Sequence, residues 1–552
     1  MASALKIAIA TINPTVGDID GNAKRILEVR NEYFEADLII FSELVLIGYP
    51  PEDLVLKPSF QRDAMDKALE IARQTHDRGP AILIGSLWVE GGKLYNSSLF
   101  IEKGNISAIR HKHDLPNYGV FDEKRVFESG PCPEPVDFRG VKLGVLTCED
   151  LWWETVTEHL TNKNSDLLIS LNGSPYDTSK AHDRFANGKE RTAQSGLPLI
   201  YTNQIGGQDE LVFDGEAFVM DKGGNIVVRQ PAFEEVVSMT EWYKDKESWV
   251  CKTQELPTKN DSLTDIYQAI MIGLRDYVTK NNFPGVVIGM SGGVDSALSA
   301  IVAVDALGAD RVHLVMMPSK FTSQESLIDA ARAAEMLGCR IDNIPIGDGI
   351  DVFEKMLTAS FAGARKDLTE ENLQSRLRAI ILMGLSNKFG KMVLTTGNKS
   401  EMSVGYATIY GDMCGGFNAL KDIYKLDVFK LSIWRNNNHP SGGFGPRGQV
   451  MPISIIEKAP TAELRLNQKD DDSLPPYEVL DDILKSLIEL EMPTKDIVKG
   501  GHDSKTVAQI QNLLYVAEYK RRQAPPGVKI TEKNFGRDRR YPITNGYRDK
   551  IT

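Results

Sequence analysis

Cysteine is scarce in this chain: five among 552 residues, at positions 132, 148, 251, 339 and 414, with no CxxC pair. So few, scattered and odd in number, they imply neither a disulfide framework nor a zinc knuckle, and they point to a reducing cytoplasm. Long apolar runs are missing too. No stretch approaches the roughly 18 to 20 unbroken apolar residues of a membrane helix, so no membrane partner is expected. The N-terminal run Lys6–Ala10 is soon broken by Thr11, Asn13 and Pro14 and suits a buried strand better than a targeting segment. Positive charge is not in excess: 64 Lys and Arg stand against 76 Asp and Glu, a net charge of −12. That balance disfavours a nucleic-acid partner. Repeats and low-complexity tracts are absent, and aliphatic residues are spread evenly, which argues against long disordered stretches.

What is present reads as two α/β halves. Up to residue 245 the apolar runs are short and bounded by Gly, Pro, Asn or Ser: Leu38–Phe41, Ile82–Ile84, Leu99–Ile101, Leu143–Leu146, Leu167–Leu171 and Leu199–Tyr201. Each predicts a strand buried on both faces, with helices such as Phe60–His76 as cover. The charged, unperiodic stretch Glu241–Asp261 reads as a linker, with the boundaries 1–245, 246–261 and 262–552. A helix is expected from Ser262. Strands and helices then alternate: Val286–Met290, Ala297–Leu307, Val312–Met316, Ser323–Leu337 and Ile341–Ile346. Such alternation builds right-handed βαβ units and a doubly wound parallel sheet. The stretch His439–Gly448 (HPSGGFGPRG) reads as a mobile or functional loop.

The sharpest motif is Gly289-Met290-Ser291-Gly292-Gly293-Val294-Asp295-Ser296, set between a strand and a helix. Glycines let backbone amides approach a phosphate, and the amides of the following helix start point at the anion. Ser291 and Ser296 add hydroxyl donors. Asp295 beside phosphates calls for a cation between them, which points to Mg²⁺. A plain Gly-rich turn is the alternative, and GxxxxGK[ST] is absent. After the strand Met392–Leu394 comes Thr395-Thr396-Gly397-Asn398-Lys399-Ser400-Glu401. Thr396 is placed to bond nucleotide and Glu401 to complete a metal site with Asp295, or the run is simply a helix cap. In the first half, three residues stand where buried strands end: Glu43 (LIIFSEL), Lys112 (HKHDLPNYGVFDE) and Cys148 (LGVLTCEDLWW). Taken singly, each is as readily structural.

Together Glu43, Lys112 and Cys148 resemble the Glu-Lys-Cys triad of the nitrilase superfamily, in that order along the chain. On this resemblance Cys148 attacks a carbonyl, Glu43 takes its proton, and Lys112 holds the thiolate and the oxyanion with help from the Glu149 backbone amide. Glu123 matches a second acidic residue of that family. The loop 289–296 resembles the SGGxDS loop of ATP pyrophosphatases. The combination resembles the glutamine-dependent NAD synthetases over almost the whole chain, through DLPNYGVFDEKRVF, GVLTCEDLWW, ENLQSRL (Glu371–Leu377), TGNKSEMSVGY (Thr396–Tyr406), the stretch Gly411–Tyr424, KAPTAELRL (Lys458–Leu466), Leu474–Tyr477 and YKRRQAPPG.

The resemblance implies an αββα sandwich followed by a Rossmann-like ATP pyrophosphatase domain. It implies amidation of deamido-NAD to NAD with ATP, Mg²⁺ and glutamine, through an adenylate, and ammonia passed along a closed route. It assigns glutamine binding to Tyr118, Ser174 and Lys180, ATP binding to 289–296 and Thr396, and deamido-NAD binding to Asn372, Glu401 and Lys520. Mg²⁺ falls to Asp295 and Glu401, and a homo-oligomer through the second domain is expected. Surface or capping roles stay open for Tyr118, Ser174, Lys180 and Lys520, and Arg376 and Arg378 are candidates for phosphate or carboxylate contacts. An amidotransferase acting on another carboxylate fits less well: the Cys-His-Glu glutaminases set their cysteine among glycines, whereas Cys148 stands in Leu-Thr-Cys-Glu-Asp. A tRNA-thiolating enzyme would bring basic tracts, and a non-catalytic binding protein would have lost one or more of Glu43, Lys112, Cys148 and Asp295.

Overall fold

A computed structural model describes residues 4–246, 248–461, 463–465 and 474–550. The chain divides into two compact units, Met1–Asp261 and Ser262–Thr552.

The first unit is built on two sheets. A seven-stranded sheet runs, edge to edge, Ser248–Cys251, Val236–Asp245, Ala4–Thr11, Leu38–Ile40, Ala81–Glu90, Lys93–Glu102 and Asn105–His111. A six-stranded sheet runs Ile226–Arg229, Phe218–Met220, Leu199–Tyr201, Leu167–Leu171, Val141–Thr147 and Val136–Phe138. The central pairings are parallel, Ile9 beside Ile40 and Ile40 beside Leu83 in one sheet, Val145 beside Ile169 and Ile169 beside Ile200 in the other. One apolar layer joins the sheets face to face through Ile7, Ile9, Ile40, Val145, Ile169 and Ile200. The other face of the larger sheet is covered through Ile26, Val29, Ala64 and Ile71 of the helices Ile19–Glu32 and Pro58–Gln74. Leu146 and Leu168 of the smaller sheet pack with Val156 and Leu160 of the helix Glu154–Asn162. Burial on both faces is why these strands read as unbroken apolar runs, and the arrangement is the expected αββα sandwich.

The second unit carries a five-stranded, wholly parallel sheet in the order Arg340–Asn343, Val312–Met316, Val286–Gly289, Met392–Thr395, Phe417–Asn418. Strand order reverses at Val286–Gly289, and ligands of such sheets bind beyond the strand ends at that switch point. The helix Val294–Leu307 is buried along its length, whereas Gln324–Leu337 buries one alanine-rich side.

Three expectations need revision. Residues 248–251 are not linker: Ser248–Cys251 pairs antiparallel with Val236–Asp245, and Cys251 is buried there. The expected strand Ile341–Ile346 is Arg340–Asn343. The loop 439–448 is tied down: buried Arg435 clasps Asp305 at 2.6 and 2.9 Å and donates to Asn438 and Pro446 carbonyls, while Phe444 N donates to Asp305 O. Ala462 and Leu466 of the KAPTAELRL stretch lie outside the described residues.

Candidate active sites

In the first unit, Glu43, Lys112 and Cys148 each stand just past a strand, at Ile40, His111 and Thr147, and all three are buried. Lys112 Nζ donates to Glu43 Oε1 at 2.8 Å and to both oxygens of Glu123 at 2.9 Å. Asn96 Nδ2 donates to Glu43 Oε1 at 2.7 Å, Gly173 N to Glu43 Oε2 at 2.8 Å, and Tyr49 OH to Glu123 Oε1 at 2.8 Å. Each buried charge thus has partners, which a dry site requires. Burial pulls the Lys112 ammonium down, but Glu123 and Glu43 outweigh it and hold the group well above its usual range. Burial raises the Glu123 carboxyl, opposed by Lys112. Burial also pushes the Cys148 thiol well up, and Glu43 adds to that. The resting sulfur is therefore a thiol, which needs a base beside it; the sequence reading of a thiolate held by Lys112 applies only once the proton has left.

Cys148 opens a single helical turn, Cys148–Leu151, with φ +47°. A non-glycine residue in the left-handed region costs about 1–3 kcal/mol and persists where its surroundings over-determine it. A sharp turn of this kind lifts a nucleophile off the strand end and is how other hydrolases present theirs.

The expected glutamine contacts divide. Tyr118 is half exposed, with its hydroxyl on Glu149 Oε2 at 2.9 Å, and Lys180 lays its ammonium 4.4 Å from the centre of the Trp152 ring. Both therefore gather on the turn that follows Cys148. Ser174 is buried rather than in a surface turn; Arg184 Nε donates to its hydroxyl at 3.1 Å. Arg184 is itself buried against Asp214 at 2.7 and 2.8 Å.

In the second unit a cavity of about 320 Å³ is lined by all of Gly289–Ser296, by Thr396 and by Glu401. Gly292 sits at φ +82°, and a Cβ there would come within 2.3 Å of the Ser326 carbonyl, so glycine is required. Ser296 Oγ receives Ser291 N at 3.2 Å and donates to Gly293 O at 3.0 Å, holding the loop as a cradle at the start of the helix Val294–Leu307. Asp295 and Glu401 converge on Lys425: its Nζ bonds Asp295 Oδ2 and lies 3.5 Å from Glu401 Oε1, while Asn398 Nδ2 donates to Asp295 Oδ1 at 2.9 Å. Among the described residues no group of three or more His, Cys, Asp or Glu forms a cage. The two carboxylates are hard oxygen donors of the kind Mg²⁺ takes, and the cation they face here is the Lys425 ammonium.

Asn372 and Lys520 do not reach the cavity wall. Asn372 Oδ1 accepts from Thr408 Oγ1 at 2.9 Å, and Lys520 Nζ is held by the Gly405 and Ala407 carbonyls at 2.8 and 2.7 Å. Both brace the segment 405–408, of which Tyr406 and Ala407 line the cavity. Arg376 likewise donates to Ile409 O, whereas Arg378 does line the cavity, with Nε on Met317 O at 3.0 Å. Burial lowers the Arg378 guanidinium to about 10. Cys414 lines the cavity too, with its thiol raised by burial.

Sequence reasoning missed Tyr49, Asn96, Asp150 and Lys425. Two left a signal: Asp150 completes the capping-box pattern Thr147-x-x-Asp150, and a lysine at the first position of a helix, Lys425–Asn437, opposes the helix dipole and implies nearby carboxylates.

Comparison with known proteins adds to this geometry. The carbon-nitrogen hydrolase family model matches residues 6–244 and the NAD synthase model residues 266–524. Amide hydrolysis and nucleotide-dependent synthesis on one chain define a carbon–nitrogen ligase that uses glutamine. The glutamine-dependent NAD(+) synthetase of Rhodobacter capsulatus is 46% identical over all of both chains, and that of Acinetobacter baylyi 43% identical over 98% of this chain and 99% of its own. A solved structure of the Acinetobacter baumannii enzyme in complex with ADP is 41% identical, with TM-score 0.78, covering 99% of this chain and 100% of that one. A second, from Cytophaga hutchinsonii, shares the fold at TM-score 0.81 and 22% identity over 99% and 98%. The chain belongs to the glutamine-dependent NAD(+) synthetase family.

Proposed function

We propose that the first unit releases ammonia from glutamine at Cys148 and that the second uses it to convert deamido-NAD and ATP to NAD, AMP and pyrophosphate. The observation that carries the reading is the buried Lys112 ammonium, 2.8 Å from Glu43, in the electrostatic surroundings of a thiol on a left-handed turn. Glu43 removes the Cys148 proton as sulfur attacks the glutamine side-chain amide carbon. Lys112 Nζ and the Glu149 backbone amide stabilise the tetrahedral oxyanion. Glu43 then returns the proton to the departing nitrogen, leaving a γ-glutamyl thioester and ammonia. Water, deprotonated by the same Glu43, hydrolyses the thioester to glutamate and restores the thiol. Tyr118, Ser174 and Lys180 bind the amino-acid end of glutamine.

In the second unit the amides and hydroxyls of 289–296 bind the triphosphate, with Thr396 beside the nucleotide. Asn372 and Lys520 act on deamido-NAD through the segment they brace, and Glu401 directly. The pyridine carboxylate of deamido-NAD attacks the α-phosphorus of ATP; pyrophosphate leaves, an acyl adenylate forms, and ammonia displaces AMP. Asp295 and Glu401 would hold Mg²⁺, which when bound supplies charge neutralisation of the pyrophosphate. Lys425 holds the two carboxylates together meanwhile.

We further infer a cytoplasmic enzyme that self-associates through the second unit. No helix among the described residues is long and apolar enough to cross a membrane. Product analysis tests the reaction: deamido-NAD, ATP and Mg²⁺ with glutamine should give NAD, AMP and pyrophosphate in equal amounts. ADP and phosphate instead would overturn it.

A further inference from the structure

Asp150 is a buried carboxylate that the chemistry above does not use. Its Oδ1 accepts the backbone amides of His113 at 3.0 Å and Asp114 at 2.8 Å, the two residues after Lys112. Its Oδ2 accepts the amide of Thr147 at 2.9 Å, the residue before Cys148. Lys112 follows the edge strand of the seven-stranded sheet, and Cys148 follows a strand of the six-stranded sheet. One side chain therefore ties the backbone of the lysine to the backbone of the cysteine across the sandwich. A neighbouring contact points the same way: Thr147 Oγ1, which caps the Cys148 turn, lies 3.0 Å from Ser98 Oγ of the strand Lys93–Glu102.

We propose that Asp150 is a positioning residue of the glutamine-hydrolysing centre, fixing the reach between the Lys112 ammonium and the Cys148 sulfur by clamping main-chain amides from both sheets. The proposal rests on the reading of Cys148 as the nucleophile given above. Three N–H donors converge on two oxygens, so the clamp needs the carboxylate. A proton removes the negative charge that strengthens all three bonds, and an amide in its place presents NH₂ to one of the two backbones. The groups facing Asp150 are Lys112, His113 and Asp114 on the lysine side, with Cys132 near enough to feel its charge. Behind the turn, Lys180 of the helix Lys180–Ser195 is directed to the Trp152 ring. Burial pushes the Asp150 carboxyl up to about 7, against the pull of the Asp114 and Thr147 amides. Below that pH the clamp takes up a proton and loses the charge that strengthens its three bonds; above it the clamp is at full strength.

The test compares the full-length native chain with Asp150→Asn, using glutamine and then ammonium as nitrogen source, from about pH 5.5 to about pH 9. The expected result is a glutamine-driven kcat about tenfold to a hundredfold lower, the size of effect a small displacement of reacting groups produces, with KM for glutamine little changed. Ammonia-driven synthesis should be unaffected. In the native chain the glutamine-driven kcat should fall on the acid side near pH 7, and that limb should vanish from the variant's weaker profile. A variant kcat within about twofold of native, or an acid limb that survives the substitution, overturns the proposal. If the variant loses its near-ultraviolet circular dichroism, Asp150→Glu decides, since it keeps the carboxylate and lengthens its reach: a glutamine-driven kcat lowered more than about twofold with KM little changed upholds the clamp, and a native kcat overturns it. Failure of the underlying reading has a separate signature, glutamine-driven synthesis that persists in Cys148→Ala.

Discussion

The two sites differ in how much of their work is finished before a substrate arrives. In the first unit the charges are buried and matched: Glu43, Lys112 and Glu123 satisfy one another, with Asn96, Tyr49 and Gly173 as further donors. In the second the corresponding surfaces line a cavity of about 320 Å³, and two carboxylates share one lysine. The difference follows from the ligands each is proposed to take. The reacting end of glutamine is an uncharged amide that brings no charge to the point of attack, so the protein builds the charges in there and shields them. A triphosphate brings its own charge and cation, so the protein supplies a cradle and leaves the space open.

Substitutions can separate the two. Glu43→Gln removes the proton acceptor for Cys148 while keeping its shape, so glutamine-driven NAD formation should fall about 10²- to 10⁴-fold and ammonia-driven formation should not, read from initial rates with each nitrogen source. Asp295→Asn should fail with both sources by about 10²- to 10³-fold, since it weakens the charge network at the phosphates. A loss confined to glutamine would erase the contrast between the sites.

A third substitution probes the frame beneath the first site. Arg184→Met leaves Asp214 buried without its partner, which costs about 3–5 kcal/mol, measured as a lower midpoint in urea unfolding of the first unit's signal. A midpoint equal to that of the native chain would deny this pair a structural role. The smallest effect concerns acidity. Because burial raises the Cys148 thiol, its alkylation by iodoacetamide should be slow at neutral pH and still climbing at about pH 9, followed at that cysteine by peptide mass spectrometry. A plateau near neutrality would mean a resting thiolate.

Much of this was legible in the sequence because it rests on local chemistry. Doubly buried strands give short apolar runs, and Glu43 and Cys148 stand where such runs end; Lys112 does not, since it follows the edge strand Asn105–His111, none of whose residues is buried. The glycine-rich loop 289–296 announces itself because Gly292 admits no side chain. Most of the missed features depend on contacts far apart in the chain. The capping box Thr147-x-x-Asp150 is a local pattern, but the reach of Asp150 to the His113 and Asp114 amides beyond the other sheet is one that no residue pattern records. Ser248–Cys251 is a four-residue edge strand inside a charged stretch, too short for its alternation to register. The loop 439–448 has the composition of a mobile segment, yet a buried Arg435–Asp305 pair anchors it. The bonds of Lys520 Nζ and Asn372 Oδ1 to the 405–408 segment are of this kind too.

The central claim is that one unit makes ammonia and the other consumes it, with Cys148 as the nucleophile of the first. The most direct measurement is NAD formation by Cys148→Ala, supplied with glutamine or with ammonium chloride beside deamido-NAD, ATP and Mg²⁺. The account predicts that glutamine-driven synthesis disappears while ammonia-driven synthesis proceeds at the native rate. Glutamine-driven synthesis that survives the substitution would contradict it.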